Sequence, residues 1–141
     1  MMRIIIFLLA ITTTSFAQSP VLGKWTTIDD ESGKSRSVVE IMQRGPKVFG
    51  KIIKLHPQPG EDPDPVCDQC AEDDDRYNKK IIGLEIIRNM VWSGKELTEG
   101  TILDPESGKV YQCKLWLEDD MLKVRGYWGP FFRTQTWKKV H

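Results

Sequence analysis

Cys67-Asp68-Gln69-Cys70 is the spacing in this chain best suited to chemistry. Two cysteines three residues apart can close a disulfide, exchange with other thiols, or supply half of a zinc site. In an exported protein a nearby even pair is usually oxidised. That bridge closes a loop of about four residues and restrains the unfolded chain by roughly 2 kcal/mol. Pairing either cysteine with Cys113 would close roughly 45 residues and stabilise by about 4 kcal/mol. Cys113, however, falls on the apolar face of a strand pattern and reads as a small buried hydrophobe. The expected state is therefore a Cys67–Cys70 disulfide, or the reduced pair in a local structural role. Thiol–disulfide exchange ranks lower. Its attacking thiolate needs neighbouring cations or a helix N-terminus, and the neighbours here are Asp64, Asp68, Glu72, Asp73, Asp74 and Asp75.

Other chemistries have less to work with. A closed zinc site takes four ligands, and only Cys113, His56 and His141 can join the pair. The run Asp73-Asp74-Asp75 lacks the alternate spacing, central glycine and distal glutamate of a calcium loop; a solvated acidic loop explains it more simply. Nucleophilic hydrolysis needs a histidine, His56 is the one well placed, and there is no Gly-x-Ser-x-Gly elbow or phosphate-cradling glycine loop. No metal or cofactor is expected, and the balance leans away from an enzyme. Arg36, Arg125 and Arg133 lie inside strand patterns, where arginines ordinarily point to solvent. Arg125 and Tyr127 share one strand face and are candidates to meet an anionic head group at a cavity mouth.

These residues must be positioned by strands, because turn chemistry cuts the chain at fairly even intervals and little helical periodicity survives. The expected strands are 22–29, 35–43, 48–55, 81–92, 100–104, 109–118, 121–128 and 131–139. Gly50 marks a bulge or a sharp bend in the third. Residues 56–78 break the rhythm with four prolines, both cysteines and the acidic run. A connection that long is either functional, such as a lid over a barrel mouth, or loosely ordered. About eight antiparallel hairpin-linked strands can close on themselves, lose their edges and enclose one small ligand. An all-β up-and-down barrel is the first expectation and an open β-sandwich the fallback.

The ends and the charge place the chain in a compartment. Arg3, the apolar run Ile4–Ile11 and Ser15-Phe16-Ala17 read as a signal peptide over residues 1–17, cleaved after Ala17. The run is far short of the ~20 residues that span a bilayer as a helix. No cysteine follows the cleavage point, so a lipid anchor is not indicated. Residues 18–141 then form a single barrel domain, periplasmic or secreted, with no transmembrane segment after cleavage. Twenty basic and twenty acidic residues leave no basic footprint for nucleic acid.

Gly23-Lys24-Trp25, Arg36-Ser37-Val38-Val39-Glu40-Ile41, Cys67-x-x-Cys70 and Ile82-Gly83-Leu84 occur in that order. Ile102-Leu103-Asp104-Pro105-Glu106-Ser107-Gly108-Lys109-x-Tyr111, Leu122-Lys123-Val124-Arg125-Gly126-Tyr127 and Arg133-Thr134-Gln135-Thr136-Trp137 follow. With these motifs the chain from residue 18 onward resembles domain-of-unknown-function family 2147, exported bacterial proteins related to the calycins and lipocalins. The resemblance implies a barrel fold and an envelope location, and no established activity. In lipocalin-like barrels a first-strand tryptophan plugs one end beneath a last-strand arginine. Carried over, that pair is Trp25 and Arg133, a cation–π contact of roughly 0.5–2 kcal/mol. The C-terminal helix of an ordinary lipocalin has no counterpart in this sequence.

The leading functional expectation is a barrel that binds a small apolar or amphipathic ligand, with Trp25, Arg133, Arg125 and Tyr127 as binding or barrel-closing residues. A structural or protein-interaction barrel with a filled interior comes next. Thiol redox chemistry at Cys67 and Cys70 is third.

Overall fold

The computed structural model describes residues 9–12 and 19–141; the cleavage point after Ala17, and all of the expected signal peptide except 9–12, lie outside them. Eight strands follow in order: β1 (Gly23–Ile28), β2 (Ser35–Arg44), β3 (Lys47–Leu55), β4 (Glu85–Ser93), β5 (Glu96–Leu103), β6 (Val110–Glu118), β7 (Met121–Trp128) and β8 (Phe131–Lys139). Each pairs antiparallel with the next. Trp25 and Thr26 of β1 pair with Lys139 and Lys138 of β8, closing the barrel. Among the described residues there is no helix, and so none long and apolar enough to cross a membrane.

Period-two patterning fixes which face turns inward. Val39 and Ile41 on β2, Cys113 and Leu115 on β6, and Leu122 and Val124 on β7 are buried, while their neighbours are more exposed. At Gly50 the pairing between β3 and β4 slips, the bulge that a strand glycine announces. A side chain there would press on Ile41 and Ile87 at 3.1 Å, so the glycine lets the core close around it.

The two ends of the barrel differ. At one end β2–β3, β4–β5 and β6–β7 are joined by two-residue turns, and Asp119 and Asp120 both take positive φ, as a type I′ hairpin demands. This end is sealed by Trp25, 1% exposed, whose Nε1 donates to the Val21 carbonyl at 2.8 Å. The opposite end carries the longer connections: 29–34, 56–84 and 104–109, together with the β7–β8 tip.

Strand β4 begins four residues later than the sequence pattern predicts. Asn78 and Gly83 adopt positive φ, so residues 81–84 turn, and Ile81 and Leu84 become buried plugs. Strand β5 begins four residues earlier than predicted. Glu99 at positive φ and Gly100 form an irregularity that hid the first half of the strand from a reading by alternation.

The 56–84 connection is a built wall. Residues 65–67 run beside 79–81, with Cys67 N donating to Lys79 O at 2.7 Å and Ile81 N to Pro65 O at 3.0 Å. Cys67 and Cys70 form a disulfide, and both are buried against the barrel core. Arg76, 5% exposed, donates from Nε and Nη2 to the two Asp74 oxygens, each at 2.9 Å. Its Nη1 donates to the Glu85 carbonyl at 2.9 Å. Arg88 forks onto Asp75 at 2.7 and 2.9 Å. The acidic run is thus partly ion-paired, where the sequence suggested a freely solvated loop. Gly108, at φ +74°, lies so close to Gln69 that a Cβ would stand 1.7 Å from its carbonyl oxygen.

Candidate functional site

The half of the barrel next to the sealed end is filled by side chains, and the other half is hollow. A cavity of about 670 Å³ opens between the long connections, within the range that holds a small organic ligand. Its inner wall is apolar: Ile52, Ile86, Ile102, Leu103 and Val124, with Trp137 among them. Gly126 faces the same space. A Cβ there would meet Tyr111 at 3.4 Å and Ile102 at 3.8 Å, ordinary contact distances. A few polar groups punctuate the wall, including Thr27 and Ser37, whose hydroxyls lie 2.7 Å apart, and Gln135, which accepts from Trp137 Nε1 at 3.0 Å. His56 also lines it, with Nδ1 shielded from solvent and without a hydrogen-bond partner.

The rim is polar and aromatic. Arg36 donates to both oxygens of Glu61, at 2.9 and 3.1 Å, and to Glu106 at 3.0 Å, tying the long connection to the β5–β6 turn. Glu61 raises the Arg36 pKa, and Arg36 in turn holds the Glu61 carboxyl below the usual range. Backbone N–H groups of Ser32 and Glu31 lower that of Asp29. Trp128 and Phe131, 69% and 68% exposed, form the lip at the β7–β8 tip.

Arg133 is at this rim, donating to Asp30 Oδ2 at 2.9 and 2.7 Å. The expected stacking of Arg133 on Trp25 is therefore corrected. The cation over the Trp25 ring is Lys139, 4.8 Å from its centroid, with Nζ also donating to the carbonyls of Pro20 and Leu22. The reason is distance along the strand. Trp25 pairs with Lys139, and Arg133 lies six residues away, about 20 Å at 3.3–3.4 Å per residue.

Arg125 and Tyr127 are also corrected. They alternate with the inward Val124 and Gly126, so they project from the outer face and are absent from the cavity lining. Arg125 lies between the rings of Trp116 and Phe132, at 4.8 and 4.4 Å, and donates to Thr134 Oγ1 at 2.7 Å. Cys67 and Cys70 are joined as expected, and their burial gives the redox reading no support. Cys113 is free and buried, its thiol pushed up to about 12 by desolvation. It is unsuited to attack. Among the described residues no three His, Cys, Asp or Glu side chains converge as metal ligands.

Sequence reasoning missed Lys139, Arg36 as a rim tie, and Arg76. Lys139 had a signal, since Arg133, Gln135, Trp137 and Lys139 alternate along β8. Arg36 and Arg76 had none, because their partners are set by how the connections fold back.

Residues 23–139 match the family model described as "Uncharacterized protein conserved in bacteria (DUF2147)". No curated protein matches the chain. Among solved structures, the barrel is similar to protein HP1028 from the human pathogen Helicobacter pylori, described as belonging to the lipocalin family. The TM-score is 0.70 at 19% identity, covering 85% of this chain and 82% of that one. At that identity the likeness concerns the fold.

Proposed function

The chain belongs to the DUF2147 family, and we propose that its barrel is a vessel for a small apolar or amphipathic molecule, working outside the cytoplasm. The observation that carries this reading is the hollow half of the barrel, about 670 Å³ with an apolar inner wall and a polar rim. Binding sites for small molecules have this composition: apolar surface supplies affinity and a few polar groups set orientation. A buried disulfide in the wall supports an oxidising compartment.

The test uses a neutral naphthylamine dye that fluoresces in apolar surroundings, titrated into the protein and into Gly126→Leu. A Cβ at position 126 faces the cavity and meets only the Tyr111 and Ile102 side chains, at 3.4 Å and beyond. Dye binding should weaken by about tenfold or more, equivalent to 1.4 kcal/mol, while the unfolding transition stays cooperative. Undiminished binding in a folded variant would put the dye elsewhere and sink the reading.

A second reading, a protein-interaction barrel, is favoured by the exposed rings of Trp128, Phe131 and Phe132 at the β7–β8 tip. Trp128 and Phe131 also line the cavity mouth. Cavity filling at Gly126 separates the two readings, because it leaves the outer surface unchanged.

A further inference from the structure

The charge around the cavity mouth is predominantly negative. The β1–β2 turn contributes Asp29 and Asp30; the long connection contributes Glu61, Asp62 and Asp68; the β5–β6 turn contributes Asp104 and Glu106. Against these seven carboxylates stand two guanidiniums, Arg36 and Arg133, and no lysine lines the cavity. Both guanidiniums are already engaged, Arg36 by Glu61 and Glu106, and Arg133 by Asp30. Asp29, Asp62, Asp68 and Asp104 make no salt bridge among the described residues, although Arg36 acts on Asp29 and Arg133 on Asp104 at longer range.

Asp29 accepts from the Glu31 and Ser32 backbone N–H groups, which lower its pKa. Asp62 accepts from Asp64 N at 2.9 Å, and Asp104 from Glu106 N at 3.0 Å. A mouth lined by one sign of charge over low-dielectric walls concentrates the field and raises the local population of the opposite sign.

Aromatic rings share the mouth: Tyr111, Trp128 and Phe131. Ring faces attract cations, ammonium groups among them. The Trp128 ring already draws one, with Lys109 Nζ 5.7 Å from its centroid.

We infer that the occupant is a cationic amphiphile, an apolar chain or ring in the cavity with an ammonium-type head among the rim carboxylates and aromatic rings. The inference rests on the cavity reading above and names its ligand class. It also predicts discrimination against fatty-acid-type ligands, whose carboxylate would join a mouth that already carries an excess of negative charge.

The test compares three probes with one tail: decyltrimethylammonium, decanoate and decanol. Each displaces the neutral naphthylamine dye at pH 7.5, below micelle-forming concentrations. At about 10 mM salt the ammonium probe should bind at least tenfold tighter than decanoate and more tightly than decanol. At about 0.5 M salt the gap should contract several-fold as the Debye length falls from ~30 Å to a few Å. Asp62→Asn/Asp68→Asn keeps one oxygen at each position, including the acceptor for Asp64 N, removes two charges and should contract the low-salt gap as well. Decanoate binding as well as the ammonium probe overturns the inference. So does decanol matching the ammonium probe, a gap indifferent to salt and to the double substitution, or failure of all three to displace the dye. If the dye itself fails to bind, the cavity reading falls instead.

Discussion

Replacing Arg76 with methionine tests whether the 56–84 connection is held as a wall or merely lies against the barrel. The arginine is 5% exposed, and its three side-chain hydrogen bonds go to the Asp74 carboxylate and the Glu85 carbonyl. Methionine keeps most of the apolar stem but removes the charge and all three donors. Breaking a buried pair by removing one partner costs about 3–5 kcal/mol. Asp74 retains 15% side-chain exposure and the Arg76 backbone N–H at 2.8 Å, so the cost falls below that range. Its titration gives a second route to the magnitude. The Arg76 side chain is the main cause that lowers the Asp74 pKa from the ordinary 3.8 to about 2. At 1.36 kcal/mol per pH unit that difference is worth at most about 2.4 kcal/mol, and screening at a partly exposed site reduces it to about 1–2.

The expected loss in Arg76→Met is therefore about 2 kcal/mol at pH 7, read by urea denaturation as a lower midpoint with an unchanged m-value. The pH dependence has a definite direction. Because the folded pKa lies below the unfolded one, the pair's full contribution is present above about pH 5. It fades as pH falls through 4 and 2 and is gone only near pH 1, below both the folded and the unfolded values. The stability gap between wild type and variant should narrow measurably between pH 6 and pH 3.5. A variant as stable as wild type at pH 7 would refute the wall. A gap that does not change with pH would show that packing, and not the Asp74 pair, holds this connection.

Two shorter predictions concern the ends of the chain. Lys139→Met should cost about 1 kcal/mol through the lost contact over Trp25 and the carbonyls of Pro20 and Leu22. Arg133→Met breaks a rim pair that is 69% exposed on the arginine side and should cost less than about 0.5 kcal/mol; chemical denaturation showing the reverse order would restore Arg133 as the closing cation. When the full chain is expressed in a bacterium with a periplasm, the purified protein should have the intact mass of a chain that starts at Gln18, and a retained leader would refute cleavage after Ala17.

Strand parity was legible in the sequence wherever apolar alternation ran unbroken. Cys113 and Leu115 on β6, and Leu122 and Val124 on β7, turn inward as their spacing requires. That alternation also held the information that Arg125 and Tyr127 face outward, since both are out of step with Val124. On β8 Arg133 lines the cavity at its rim and does not reach Trp25, which Lys139 covers. Inward positions repeat every second residue, and nothing in a strand's pattern says which rung meets Trp25 until the barrel closes and sets the register. The bulge-bearing β5 and the turning 81–84 segment escaped for a related reason: positive φ at Asn78 and Glu99 is carried by residues that give little warning of it. The wall was least legible of all, because Arg36–Glu61 and Arg36–Glu106 join residues 25 and 70 positions apart.

On the proposed reading, the barrel separates what holds it together from what would select a ligand. At the sealed end, two-residue turns leave little chain for anything but reversal, and Trp25, Val21 and Lys139 stopper the opening. At the open end the rim side chains hang on connections whose positions are fixed by ties made behind the rim. Gly108 seats against Gln69, the disulfide packs into the core, and Arg76 clamps Asp74 to the start of β4. Head-group preference can then be altered at Asp62 or Asp68, which take no part in those ties, while the hollow is altered at Gly126 on β7. Substitutions of the first kind should change which ligand binds, and those of the second kind whether any binds. That independence, if both kinds of substitution behave so, is what the proposed binding barrel requires.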